Sequence, residues 1–326
     1  MTMSDKLPET TPTFAPATPA TTRKATAADF HPEVLRLFDG YVHGRIDRRG
    51  FLEGAAKFAV GGVTAATLLE ALSPDFANAE QVAKTDPRIV ATSVEFPSPQ
   101  GYGTGRGYLV RPASAPPPGG PATPTKGLPT ILVIHENRGL NPHIEDIARR
   151  LALDDFIAVA PDALHPLGGY PGDEDKAREA FGKLDQEKTR EDFLAAYAVL
   201  KSRPDCTGKI GAVGFCYGGG MVNFLATHVP DLAAAVPFYG SQPKPEEVAN
   251  IKAPMLIHYA DKDDRINAGI PAFEEALKAN KIKYEIFKYE GTQHGFNNDT
   301  TPRYDKAAAA LAWKRTMDFF KKNLKK

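Results

Sequence analysis

The chain has few cysteines, no excess of either charge and no long apolar run, and each shortage excludes a class of protein. Only Cys206 and Cys216 are present among 326 residues, too few for a disulfide framework. Lysine plus arginine and aspartate plus glutamate both number 40, so no basic surface is available to bind nucleic acid. No apolar stretch reaches the roughly 18 residues of a membrane-spanning helix, and no membrane span is expected.

Metal and nucleotide motifs are also missing. The sequence contains no His-x-x-x-His, no Cys-x-x-Cys and no glycine-rich phosphate loop, so neither a metal nor a cofactor is predicted. The hydrophobic content of 42% and charged content of 25% are those of an ordinary globular protein. The length suits one large α/β domain with appendages.

Residues 1–44 are predicted to lie outside the main domain. The first 28 or so residues are rich in Thr, Pro and Ala and are predicted to be disordered. A short helix is predicted from Phe30 to Val42.

Residues 45–80 resemble a twin-arginine export signal. The run Arg48-Arg49-x-Phe51-Leu52 is followed by an apolar stretch, 58–69, and by a small-residue cleavage site at Ala77-Asn78-Ala79. This order predicts a periplasmic or exported protein that uses the twin-arginine machinery. Charged residues around the apolar stretch leave an alternative open, in which the protein is cytoplasmic and the segment is retained as a packing or interaction helix.

Residues 81–326 are predicted to form one α/β domain. Two strands near 89–96 and 107–111 read as antiparallel neighbours, and the segment 112–129 is an exposed Pro-rich loop. Strands and helices then alternate, which predicts a mostly parallel central sheet with helices on both faces. In such sheets the functional site lies on the loops at the carboxyl ends of the strands. The predicted strands are Thr130 to His135, Phe156 to Ala160, Ile210 to Val213, Leu232 to Phe238, Met255 to Tyr259 and Tyr284 to Tyr289.

Cys216 lies where a nucleophile is expected. The run Lys209-Ile210-Gly211-Ala212-Val213-Gly214-Phe215-Cys216-Tyr217-Gly218-Gly219-Gly220 is a strand, a tight turn and the start of a helix. It is the Gly-x-nucleophile-x-Gly elbow with cysteine as the nucleophile. The turn exposes the side chain, and the helix N-terminus favours thiolate over thiol. A buried structural cysteine in a close-packed turn is the alternative.

The partners of the cysteine are found downstream of it. In enzymes with this elbow the acid comes next and the histidine last. His294 is the histidine that follows a strand, in a glycine-flanked loop, and is predicted to be the base. The loop after Met255 to Tyr259 offers the acid, which would orient the imidazole. The candidates are Asp261, Asp263 and Asp264.

Four motifs resemble the dienelactone hydrolase (carboxymethylenebutenolidase) family of α/β hydrolases, from about residue 88 to the C-terminus. The resemblance implies the α/β-hydrolase fold and a Cys-His-Asp triad in which Asp263 is the acid, because it follows Ala260 by three residues. It also implies that Glu136 is an accessory carboxylate, which helps to deprotonate the thiol. The motifs are Gly214-Phe215-Cys216-Tyr217-Gly218-Gly219, Asp261-Lys262-Asp263, His294-Gly295-Phe296 and His135-Glu136-Asn137-Arg138-Gly139-Leu140-Asn141.

One departure from the family bears on specificity. Members that cleave dienelactone carry an arginine a few residues after the catalytic histidine, to hold the substrate carboxylate. Here the nearest is Arg303, at a different spacing, so neutral or larger esters are expected as well as anionic lactones. Tyr239, Phe296 and Arg303 are candidates for the substrate pocket, and Tyr239 could equally be a packing residue.

The predicted reaction is the hydrolysis of a small-molecule ester or lactone through a thioester. Cys216 would attack the carbonyl, and the backbone N–H groups of Tyr217 and Asn137 would hold the oxyanion. His294 would protonate the leaving alkoxide and then activate water. Two alternatives stay open: a cysteine-dependent thioesterase or acyltransferase on the same fold, and a non-catalytic binding protein with a relict site.

Overall fold

The structure is a computed structural model, and it describes residues 24–59, 63–115 and 127–325. The predicted disordered start lies mostly outside these residues, as do the middle of the Pro-rich loop and part of the apolar stretch of the signal-like segment. The helices are α1 (Pro32–Val42), α2 (Arg48–Ala55), α3 (Ala65–Leu72), α4 (Pro142–Ala152), α5 (Glu174–Phe181), α6 (Gln186–Ser202), α7 (Tyr217–His228), α8 (Asp264–Asn267), α9 (Ile270–Ala279) and α10 (Lys306–Leu324).

Eight strands form one sheet in the order β1-β2-β4-β3-β5-β6-β7-β8. β1 and β2 pair antiparallel, β2 pairs antiparallel with β4, and every other neighbouring pair is parallel. The predicted fold class is therefore confirmed. The strands are β1 (Ile89–Ser98), β2 (Gly103–Pro112), β3 (Leu128–Ile134), β4 (Ile157–Pro161), β5 (Cys206–Phe215), β6 (Ala234–Phe238), β7 (Met255–Lys262) and β8 (Tyr284–Gln293).

The sheet separates two apolar cores. Leu132 and Ile134 of β3 point into one core, and Ile131 and Val133 point into the other. All four are fully buried, because a parallel sheet covered by helices on both sides has no solvent face. The sequence did not predict α5, in which five of the eight residues are charged.

The N-terminal helices form a third apolar cluster of their own. Phe38 and Tyr41 of α1, Phe51 of α2 and Leu72 of α3 pack together and are almost completely buried. The helices on either side of residue 45, the predicted boundary, thus share one cluster. None of the described helices is long and apolar enough to cross a membrane.

Polar contacts join these helices to the α/β domain. The Val42 carbonyl accepts hydrogen bonds from Asn137 Nδ2 at 2.9 Å and from Arg138 Nη1 at 3.2 Å. Arg48, the first arginine of the signal-like motif, forms an ion pair with Asp175 at 3.0 Å. The described part of the N-terminal segment therefore packs on the domain beside the loop that follows β3.

Candidate active site

Cys216 lies at the turn between β5 and α7 with a backbone φ of +56°. This conformation costs a non-glycine residue of the order of 1–3 kcal/mol and persists only where the surroundings enforce it. A Cβ at Gly214 would lie 2.1 Å from the Gly218 carbonyl oxygen, and one at Gly218 would lie 2.2 Å from that of Ile134. The two glycines of the motif are thus required by backbone contacts, and the turn holds the sulfur at the α7 N-terminus.

His294 and Asp263 form a buried pair near this sulfur. The Nδ1 atom of His294 lies 2.5 Å from Oδ2 of Asp263, and their side chains are 5% and 2% exposed. A carboxylate accepts the hydrogen bond, so the proton is on Nδ1 and the Nε2 atom is left for chemistry. Among the described residues, the buried Nε2 atom of His294 has no hydrogen-bond partner.

The structure separates the three candidate acids. Asp263 caps α8 and bonds His294. Asp261 instead accepts a hydrogen bond from the Gly291 backbone at 3.2 Å, and Asp264 is exposed. Only Asp263 is placed to orient the imidazole.

A second histidine, which the sequence reasoning missed, also reaches the sulfur. His43 follows α1 directly, and its Nε2 atom lies 3.4 Å from Cys216 Sγ. A ring nitrogen of each histidine and the Sγ atom all lie within 4.8 Å of one another. His43 precedes Cys216 in the chain, outside the order of nucleophile, acid and histidine that the elbow implies. The available signal was the Asp39-x-x-x-His43 spacing, which puts both side chains on one helix face.

The two histidines change the ionisation of the thiol. Burial raises the pKa of Cys216, but His294 and His43 together outweigh it and lower that pKa to about 5. Burial lowers the pKa of His294, whereas the neighbouring thiolate and the hydrogen bond to Asp263 raise it to about 10. The site therefore favours a thiolate–imidazolium pair at neutral pH.

The sulfur and the two imidazoles form a group of the kind that can coordinate a metal ion. Arg265 Nη2 lies 3.1 Å from His43 Nε2, so an ion bound by these atoms would have to displace that guanidinium. The thiolate–imidazolium pair requires no such displacement.

The loop after β3 borders the elbow. Glu136 Oε2 accepts a hydrogen bond from Asn298 Nδ2 at 3.0 Å. The start of α7 packs against the end of β3, since Gly218 approaches the Ile134 and His135 carbonyls. Among the described residues, neither the Tyr217 nor the Asn137 backbone N–H has an acceptor. Both donors predicted for the oxyanion are thus left without an internal partner.

Tyr239 and Phe296 lie beneath the site. Tyr239 follows β6 with a φ of +38°, and its ring centroid is 4.9 Å from that of His294. Its buried hydroxyl has no hydrogen-bond partner among the described residues. Phe296 has no exposed surface and packs 5.6 Å from the Tyr239 ring. The structure thus places Phe296 in the core and Tyr239 directly against the imidazole.

Arg303 lies between the site and the N-terminal helices. Its guanidinium is 5.1 Å from the Phe38 ring and packs on Gly295, beside His294. The side chain is buried, and its Nε and Nη1 atoms have no acceptor among the described residues.

Two cavities flank the end of α1. One, of about 520 Å³, is lined by Glu136, Asn137 and Arg303 together with residues of α1 and α5. The other, of about 800 Å³, is lined by Asp263, His294 and Arg303 together with Asp39. Arg303 borders both cavities, and the N-terminal segment forms one wall of each.

Two family models match the chain. The model of the dienelactone hydrolase family matches residues 118–324, and a model described as YqhI-like matches residues 21–59. The second match covers α1, α2 and His43. The α/β domain and the N-terminal segment thus each match a family model.

Individual relatives cover different shares of the chain. "Putative hydrolase fragment YghX" of Escherichia coli K12 is 49% identical over 123 residues, 38% of this chain and 97% of that one. "Putative carboxymethylenebutenolidase" of Saccharolobus solfataricus is 33% identical over 239 residues, 62% of this chain and 92% of that one.

A solved structure agrees with the sequence matches. The crystal structure titled as a putative dienelactone hydrolase from Klebsiella pneumoniae has a TM-score of 0.61 and 26% identity, over 71% of this chain and 98% of that one. The α/β domain, its elbow and these relatives lead to one conclusion. The chain belongs to the dienelactone hydrolase family and is a hydrolase of ester or lactone bonds.

Proposed function

We propose that the hydrolysis proceeds through a Cys216-His294-Asp263 triad and a thioester acyl-enzyme. The observation that supports it most directly is the buried Asp263–His294 pair, with 2.5 Å between Oδ2 and Nδ1, next to a cysteine on a strained elbow. Nucleophile, acid and base come from the loops after β5, β7 and β8, in the chain order that this elbow requires.

The first half-reaction forms the thioester. The Cys216 thiolate attacks the carbonyl carbon, and the N–H groups of Tyr217 and Asn137 stabilise the oxyanion. Loss of one such donor costs about two to three powers of ten in rate. The His294 imidazolium then gives its Nε2 proton to the leaving alkoxide as the C–O bond breaks.

The second half-reaction releases the acid. Neutral His294 takes a proton from water, the resulting hydroxide attacks the thioester, and the sulfur leaves as thiolate. Asp263 keeps the hydrogen on Nδ1 in both halves, so that Nε2 always faces the reacting atoms. Glu136 lines the cavity beside the proposed oxyanion donors, and its bond to Asn298 fixes its position.

The substrates proposed for this site include esters that carry a carboxylate. Arg303 is a buried cation with unpaired donors, and it borders both cavities at the site. A buried donor without an acceptor costs about 1–3 kcal/mol, which a substrate carboxylate can offset. Arg303 thus provides a cation for a substrate carboxylate, although it does not lie at the family's arginine spacing after His294.

The test is turnover of p-nitrophenyl esters, neutral and carboxylate-bearing, by the wild type, Cys216→Ala and Cys206→Ser. Cys206 begins β5 and Cys216 follows its end, about 30 Å apart along the strand, so Cys206→Ser is the matched control. We expect Cys216→Ala to lose at least three powers of ten in kcat and the control to lose none. An acyl burst in the wild type supports the thioester, whereas turnover retained by Cys216→Ala would refute the proposed mechanism.

A further inference from the structure

The N-terminal segment places a histidine at the nucleophile. His43 is 3.4 Å from Cys216 through Nε2 and Sγ, and its side chain is only 11% exposed. Its ring meets that of His294 edge to face, with 4.8 Å between the centroids. The sulfur therefore has an imidazole neighbour from outside the α/β domain.

Asp39 fixes the orientation of this imidazole. The Nδ1 atom of His43 lies 2.8 Å from the Asp39 main-chain carbonyl and 3.1 Å from Oδ1 of its carboxylate. A carbonyl can only accept a hydrogen bond, so the hydrogen is on Nδ1, and the lone pair of Nε2 lies between the thiol and the Arg265 guanidinium. Asp263 orients His294 through its carboxylate instead, and two imidazoles with their hydrogens on Nδ1 thus meet at one sulfur.

We propose that His43 is a catalytic residue of this hydrolase, which takes the proton of the Cys216 thiol in the free enzyme. The inference rests on the proposed function, in which Cys216 is the nucleophile. The S–H bond breaks, its electron pair stays on sulfur, and the proton bonds to Nε2. The resulting imidazolium lies between the thiolate and Asp39. His294 takes its Nε2 proton from solvent, and that proton, rather than the one from the thiol, goes to the leaving alkoxide.

The surrounding charges are consistent with this transfer. Burial lowers the pKa of His43, but the Cys216 thiolate and Asp39 outweigh it, so the pKa is raised. Arg265 opposes the transfer, because its guanidinium donates to the same Nε2 lone pair at 3.1 Å. Arg265 is exposed, so water can replace that contact when the proton arrives. The other ionisable groups around the pair are Arg45, Glu136, Arg138, Tyr239, Asp263, His294 and Arg303.

The end of α1 is anchored where the reaction takes place. The residue before His43, Val42, accepts hydrogen bonds from Asn137 and Arg138, on the loop that carries one proposed oxyanion donor. His43 is thus tied to the β3 loop on one side and to the elbow on the other. If His43 acts as proposed, the part of the N-terminal segment that precedes α2 is part of the active site.

The test compares full-length wild type with His43→Gln, His43→Ala and, as a matched control, His228→Gln. His228 is an exposed histidine at the end of α7. The rate of Cys216 alkylation by iodoacetamide is followed across pH by peptide mass spectrometry, with Cys206 as the internal reference. We expect the pH midpoint of Cys216 alkylation to rise by about one unit in both His43 variants. Below that midpoint, the shift corresponds to an about tenfold slower alkylation.

Steady-state kinetics and folding separate the outcomes. We expect kcat/KM to fall about 10- to 100-fold in His43→Gln, with a melting temperature near that of the wild type. Should His43→Ala loosen the segment, the similarly sized glutamine variant still reports the loss of the base. An unchanged alkylation profile and kcat/KM in His43→Gln, with Cys216→Ala inactive, would overturn this inference and leave the proposed function intact. Stoichiometric zinc, with alkylation only after chelation, would overturn it too.

Discussion

Cys216 combines a strained backbone with a charge that burial opposes. The side chain is 8% exposed, a position at which a thiol ordinarily keeps its proton. Here two neighbouring imidazoles reverse that preference and lower the pKa of the thiol to about 5. The ionisation of this thiol therefore depends on side chains from two other segments of the chain.

At the residue scale, Asp263→Asn tests the orienting role of the carboxylate. An amide can donate as well as accept, so it can hold the imidazole in the wrong tautomer, and we expect kcat to fall by about three to four powers of ten. The measurement is steady-state kinetics on a p-nitrophenyl ester. Asp261→Asn is the control, because the Asp261 carboxylate contacts the Gly291 backbone and Lys288 and not His294. A full rate in Asp263→Asn would remove this residue from the triad.

At the element scale, the site results from how β5 and α7 meet β3. Five parallel strands end at one edge of the sheet, and the loops after β3, β5, β6, β7 and β8 each contribute at least one side chain. These include Glu136, Cys216, Tyr239, Asp263 and His294. β4 and β5 lie on opposite sides of β3, so the strand order reverses at this point. Open α/β sheets bind ligands in the crevice at such a reversal.

Gly214→Ala tests the close approach at the elbow. The added Cβ would lie 2.1 Å from the Gly218 carbonyl oxygen, and backbone atoms cannot move aside cheaply. We expect the free energy of unfolding to fall by about 3 kcal/mol or more, measured by urea denaturation. Gly182→Ala is the control, because its Cβ would meet only ordinary contacts at 3.6 Å and should change stability by about 0.5 kcal/mol or less. Equal stability of the two variants would contradict the packing argument.

At the scale of the whole molecule, the N-terminal helices and the α/β domain have separate apolar clusters. We expect Phe51→Ala, at a fully buried position, to destabilise the N-terminal cluster by about 3–5 kcal/mol while the sheet stays folded. Limited proteolysis should then cut the variant before α3 and leave an intact domain. Leu311→Ala, at an exposed position in α10, should resemble the wild type. Simultaneous loss of both parts would mean that they unfold as one unit.

The twin-arginine export signal stays a prediction, and it conflicts with a role for His43. Cleavage after Ala79 would remove His43 and Asp39 together with α1 and α2. The mass and N-terminal sequence of the protein isolated from its own cells decide between the two. A start after Ala79 would support export and exclude His43 from the mature site, whereas a retained segment would support the cytoplasmic alternative.

The local pattern of the sequence determined the fold class, the elbow and the choice of His294, and it left three candidate acids, among which the family resemblance pointed to Asp263. Each depends on order along the chain: apolar strands between helices, glycines two residues from Cys216, and an acid and a histidine after successive strands. Tertiary structure decided the rest. His43 is 173 residues from Cys216 in sequence, and Arg303 reaches the site only by folding back over Gly295. No local spacing encodes such contacts, because they arise only when separate segments dock, as the N-terminal helices do through the polar contacts of Val42 and Arg48 with the α/β domain.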